Sequence, residues 1–179
     1  MSVHGKPEPA PGLLRRLDAT ARATFPVAFT ALLMVLAAAP VGPPGLVWAV
    51  ALPCVFFWSL FRPAYMPPLA VFPLGLLHDL LSFGPLGIGV LILLITHGLA
   101  MRWRRALVRR SFLVVWLAYC GFALGAGGLG WVLQAVLGWR VPPIAPGLNA
   151  VGMSAGLYPS LAWLLGRAHL AMLHAESAA

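Results

Sequence analysis

Apolar residues run along this chain in stretches separated by clusters of proline, glycine and arginine, and six such stretches can be marked. The first covers residues 24–39 and stops at Pro40, where Pro40-Val-Gly-Pro-Pro-Gly45 has the composition of a tight loop. The second, residues 46–61, contains Pro53, which removes one backbone hydrogen bond and predicts a kink. Arg62-Pro63-Ala-Tyr-Met-Pro67-Pro68 follows as a turn, and Pro67 or Pro68 suits the first turn of the next helix. The third stretch, residues 69–83, is short and carries Pro73, Gly75, His78 and Asp79 before Ser82-Phe-Gly84-Pro85 closes it. The fourth covers residues 86–101 and runs into a basic loop, residues 102–110. The fifth, residues 112–137, is long enough to predict a tilted helix. A proline-rich loop over residues 139–147 precedes the sixth, residues 148–165, in which Pro159 predicts a bend.

Stretches of roughly 17–25 apolar residues match a hydrocarbon core of about 30 Å. The pattern therefore predicts an all-α, polytopic membrane protein, a bundle of about six transmembrane helices over residues 24–171. Residues 1–23 form a basic N-terminal tail and residues 172–179 a C-terminal tail. The stretch 13–22 reads either as a short interfacial helix held down by Arg15, Arg16 and Arg22 or as plain tail. No cleavable signal peptide is evident.

Composition agrees with this reading: 61% of the 179 residues are hydrophobic and 9% charged, too few charges to cover a soluble surface. The net charge of +8 does not point to nucleic acid, because the basic residues sit between the apolar stretches, where topology signals belong. With the N-terminus inside, eleven of the twelve Lys and Arg fall on that side and only Arg140 on the other. That asymmetry predicts an even number of crossings with both termini in the cytoplasm of a plasma (inner) membrane protein.

Candidate chemistry is sparse. Asp79 is the one acidic residue within the apolar region, and an intramembrane acid must face a partner or a cavity. His78 and Arg140 are possible partners, and His97, closer to the other end, is a poorer match. Hydrogen bonding to a neighbouring helix or to the turn at Gly84 stands beside a mechanistic role. A lone carboxylate excludes the paired acids of aspartyl peptidases. No Gly-x-Ser-x-Gly surrounds Ser111, Ser154 or Ser160, and no P-loop appears. Cys54 and Cys120 have no metal-ligand spacing. The chain is expected to be non-enzymatic, with no cofactor and no metal. Gly121, Gly125 and Gly128 form one helical stripe, and Gly152 and Gly156 a second; packing within the bundle is favoured over contact with another protein. Trp103 and Trp139 fit an interfacial aromatic belt. The basic loop is expected to attract anionic lipid headgroups or an acidic cytoplasmic partner.

Arg62-Pro63, then Phe72-Pro-Leu-Gly75-Leu-Leu-His-Asp79-Leu-Leu-Ser82, then Leu86-Gly87, resembles the rod shape-determining MreD family. The length, the hydropathy and the basic loop after the fourth stretch are similar as well. In the sixth stretch, where the family often shows Asn shortly before Pro, Ser154 precedes Pro159. The resemblance implies a scaffold or regulatory subunit of the bacterial cell-wall elongation complex, active in rod shape determination and peptidoglycan synthesis. Its implied partners are MreC, MreB, RodA and the penicillin-binding transpeptidase, together with membrane lipids. The implied fold is similar to the substrate-binding subunits of energy-coupling-factor transporters, so a small-molecule transport subunit is the alternative function. Asp79, Arg62, Gly75, Arg104, Arg105, Arg109 and Arg110 are the candidate partner-binding or structural polar positions.

Overall fold

The computed structural model describes residues 13–39, 45–139 and 141–177, with side chains described between residues 24 and 174. Within these it contains six helices and no strand: α1 (Leu13–Ala37), α2 (Leu46–Phe61), α3 (Pro68–Ser82), α4 (Ile88–Leu107), α5 (Phe112–Gly138) and α6 (Ile144–Ser177), with a 3-10 turn at Pro63–Tyr65 between α2 and α3.

Proline and glycine place several boundaries where the pattern predicts them. Gly45 adopts φ +87° and turns the chain into α2. Pro68 occupies the first turn of α3, where a missing amide hydrogen costs nothing. Phe83 at φ 52° and Gly87 at φ +101° bracket the α3–α4 turn. Residues 40–44 of the loop before α2, and Arg140, lie outside the described residues.

Three boundaries differ from expectation. Residues 13–22 are helical, but they do not form a helix of their own: α1 runs unbroken through them and through Pro26. The basic segment is mostly helix: Arg102, Arg104 and Arg105 lie on the last turns of α4, and only residues 108–111 form the turn. Residues 101–107 contain no Gly or Pro, and Arg, Ala and Leu favour helix. Finally, α6 has 34 residues rather than the 18 of the apolar stretch. It starts earlier because Pro146 lies in its first turn, and it continues to Ser177 because only Gly166 weakens the helix after Leu165.

By length and composition α5, with 27 residues, is the one described helix able to cross a membrane unaided. The apolar helices α2 and α3 are shorter, as is the apolar part of α1, Thr24–Ala37. At 1.5 Å per residue α2 is about 24 Å long. It is apolar on every side, and all its residues except Leu46, Trp48 and Phe61 are buried. The other helices enclose it in the order α1, α3, α4, α5, α6, each touching the next and each touching α2. Phe56, at the middle of α2, contacts Tyr119, Phe122 and Tyr158 with ring centroids 5.3, 5.0 and 6.1 Å away. Tyr119 and Tyr158 stack at 4.2 Å, which locks α5 to α6.

The two glycine stripes do not pack inside the bundle. A methyl group added at Gly121, Gly125, Gly128, Gly152 or Gly156 would meet nothing within 4 Å. The close approaches are made elsewhere: an added methyl carbon would fall 2.6 Å from Val151 at Gly127, 3.0 Å from Ile92 at Gly130 and 2.5 Å from the Val90 Cα at Gly75. Helical spacing identifies which residues share a face but not which way that face points, so the stripes were legible and their direction was not.

Candidate functional site

The α3–α4 hairpin is built around Asp79. Gly75, one turn earlier on α3, lets the backbones come together at Val90, which brings the start of α4 within reach of the carboxylate. The Gly87 N–H donates to Asp79 Oδ2 at 2.7 Å and the Gly89 N–H to Oδ1 at 2.8 Å. These are N-terminal amides of α4, which no carbonyl within the helix can satisfy. A carboxylate there also meets the positive end of the helix dipole. Asp79 is only 3% exposed, so without these donors it would be an uncompensated polar group. Glycine is required at position 89, where a Cβ would collide with Asp79 Oδ1 and His78 Nδ1.

His78 Nδ1 lies 3.2 Å from Asp79 Oδ1, and since the carboxylate accepts, this nitrogen donates. Nε2 is left as an acceptor toward the Ser82 hydroxyl at 3.4 Å. The order Asp79–His78–Ser82 matches that of a hydrolytic triad, with the Ser82 hydroxyl at 3.4 Å from the imidazole. The carboxylate is committed to the α4 terminus, and the arrangement acts as a tie between two helices. No group of three or more His, Cys, Asp or Glu that could hold a metal occurs among the described residues.

A chamber of about 630 Å³ opens beside this tie. It is bounded by the last residues of α1, the start of α2, the α3–α4 turn, the second half of α5 and the start of α6. His78, Asp79, Ser82 and Gln134 supply its polar groups, and Trp48 and Trp131 form part of the wall. Along the sequence these polar residues are scattered; the helix ends collect them. Trp131 Nε1 donates to the Pro142 carbonyl at 2.9 Å and so fixes the α5–α6 connection at the chamber's edge.

The remaining candidates gather at the opposite end of α4. Arg104 Nε donates to the Leu60 carbonyl at 2.6 Å, so this residue satisfies the C-terminus of α2 rather than extending freely from a loop. Arg62 Nε donates to His169 Nδ1 at 3.1 Å, and its guanidinium lies 5.2 Å from the centre of the Tyr65 ring, which joins the α2–α3 turn to α6. Arg105, Arg109 and Arg110 are exposed. The candidate positions thus form two groups, Gly75 with Asp79 at one end and the arginines at the other. Arg140, the other basic candidate for contact with Asp79, lies outside the described residues.

Two buried polar ties had no counterpart in the sequence reading. Ser59 donates to the Val55 carbonyl at 2.6 Å, so the 2.8 Å contact to His97 is a donation from His97 Nδ1, tying α4 to α2. The hydroxyls of Tyr119 and Ser154 are hydrogen-bonded, and Ser154 lies 3.4 Å from the Ala49 carbonyl, drawing α5, α6 and α2 together. A lone polar residue in an apolar stretch is the signal for such a tie, but its partner, 38 or 35 residues away, is not readable from spacing.

No curated protein and no solved structure matches this chain. A family model described as rod shape-determining protein MreD matches residues 22–143, about two-thirds of the chain, including the whole α3–α4 hairpin with Gly75, Asp79, Gly87 and Gly89. The chain belongs to the MreD family of rod shape-determining membrane proteins.

Proposed function

We propose that this protein is a non-enzymatic, multi-pass scaffold of the bacterial cell-wall elongation complex, acting in rod shape determination alongside MreC, MreB, RodA and the penicillin-binding transpeptidase. Family membership over residues 22–143 is the observation that carries this reading. The architecture supports it: the polar side chains in the helical region are used mainly to tie helices together, as at Asp79, Ser59 and Ser154. In this reading all six helices span the membrane and both ends are cytoplasmic, in keeping with the eleven-to-one distribution of Lys and Arg. Purification of the tagged full chain from native membranes in mild detergent tests it. The partners named above should be enriched over unrelated membrane proteins, and a preparation free of all of them overturns the scaffold reading.

The chamber favours one second reading, a substrate-binding subunit of a transporter, because it brings four polar side chains to one cavity of ligand size. Gln134→Leu separates the two readings. It removes a chamber polar group that has no part in the Asp79 tie, so a scaffold should keep partner recovery and cell shape, while a transport subunit should lose uptake.

A further inference from the structure

We propose that the turn between α4 and α5 holds the phosphate of one anionic phospholipid in a groove lined by Arg104, Arg105, Val108 and Arg109. The groove measures about 350 Å³. The proposal rests on the family's membrane residence and not on the identity of any protein partner.

Three observations converge on this site. First, Arg104 is already anchored: its Nε is spent on the Leu60 carbonyl, which fixes the guanidinium plane and leaves the terminal N–H groups for a ligand. Second, nothing among the described residues compensates the positive charge. The chain has four acidic residues; Asp79 is committed at the far end of α4, and no ion pair to Arg104, Arg105, Arg109 or Arg110 occurs among the described residues. Neighbouring guanidinium groups repel one another, and a shared anion relieves that repulsion. A phosphate fits because guanidinium forks bind its oxygens in pairs.

Third, the surroundings suit a lipid better than a soluble anion. Trp103, 53% exposed, immediately precedes the groove, as an interfacial aromatic would. Val108 gives the groove an apolar floor, and Phe112 and Leu113, 55% and 58% exposed, begin the lipid-facing surface of α5 just beyond it. A glycerophospholipid places its phosphate against the arginines and its glycerol and upper acyl carbons against these three side chains. A lipid with net negative charge is preferred over a zwitterionic one, whose own cation would face the same arginines.

The test is native mass spectrometry of the full chain released from nanodiscs containing equal amounts of phosphatidylglycerol and phosphatidylcholine. One phosphatidylglycerol should be retained preferentially. Arg105→Gln with Arg109→Gln should lower that retention on the order of tenfold or more, since both lose charge-assisted hydrogen bonds made directly to the phosphate. Arg102→Gln with Arg110→Gln makes the same charge change outside the groove, leaves the phosphate contacts in place and, at physiological salt where such charges are screened, should leave retention within about twofold. Equal loss in both pairs would show a diffuse charge effect and overturn the site, as would an absence of preference in the unaltered chain. A second reading needs no variant. Thermal unfolding of the unaltered, delipidated chain should shift upward saturably with phosphatidylglycerol and not with phosphatidylcholine. An equal shift with inorganic phosphate would assign the groove to a soluble anion and overturn the lipid.

Discussion

At the scale of single residues, Asp79 has more demanded of it than a lone intramembrane acid first suggests. Each carboxylate oxygen accepts a backbone N–H, and Oδ1 also meets His78. Asparagine offers one acceptor oxygen where two are used, so Asp79→Asn deprives either the part-buried Gly87 amide or the buried Gly89 amide of its acceptor and should destabilise the protein by about 0.5–3 kcal/mol. Asp79→Leu leaves both unsatisfied and should cost more. Equilibrium unfolding in mixed micelles ranks the variants, and equal stability of Asn and Leu would show that charge, not acceptor number, governs the position. Gly89→Ala drives a methyl group into the same carboxylate and should cost about 1–3 kcal/mol. Gly98→Ala, on the same helix with nothing within 4 Å, should be neutral or stabilise by about 0.5–1 kcal/mol. If the two alanine variants unfold alike, the close packing at Gly89 does not hold. The Asp79 tie was legible in outline, because an acid one helical end away from a Gly-rich turn points to that turn. Glycine at 89 was not, because its need arises only once the two helices are folded together.

Among the helices, ties between α2 and its neighbours would, in the proposed multi-pass arrangement, supply part of the association that hydrophobicity cannot provide against lipid. A double-mutant cycle on Ser59→Ala and His97→Ala should give a coupling of about 0.6 kcal/mol and no more than about 1.7. A coupling indistinguishable from zero would mean that packing alone holds α4 to α2. Helix order and most turns were readable because Pro and Gly punctuate them. The ends of α4 and α6 were not, because hydropathy marks where a helix leaves an apolar environment, whereas Arg102–Arg105 and the residues after Leu165 remain good helix formers beyond that point. The inward and outward faces of α5 were ambiguous for a related reason: glycines occur on both, with Gly127 and Gly130 packed and Gly121, Gly125 and Gly128 open.

For the whole molecule, the charge asymmetry and the two-ended division of candidate residues make one prediction. With Cys54 and Cys120 replaced by Ala, Ser111→Cys and Val141→Cys lie in the turns at opposite ends of α5. An impermeant thiol reagent applied to intact cells should label Val141→Cys and spare Ser111→Cys. The opposite pattern overturns the orientation, and labelling of both overturns the spanning of α5.

The enclosure of α2 has a consequence for how the chain is made. Ribosomes deliver α2 before any of its four later neighbours exists, so under the proposed multi-pass topology a helix that ends with almost no outward surface must first spend time surrounded by acyl chains. Its composition suits both settings, since its polar side-chain groups are few: the Ser59 hydroxyl, satisfied within its own helix at Val55, and the indole N–H groups of Trp48 and Trp58. The later helices then wrap a partner already in place, and the two ties from His97 and Ser154 can form only after translation has passed those residues. Biogenesis of this protein is thus a matter of late arrivals closing around an early one, and a chain stalled after α4 would already carry the α2–α4 tie while lacking the α6 side of its wall.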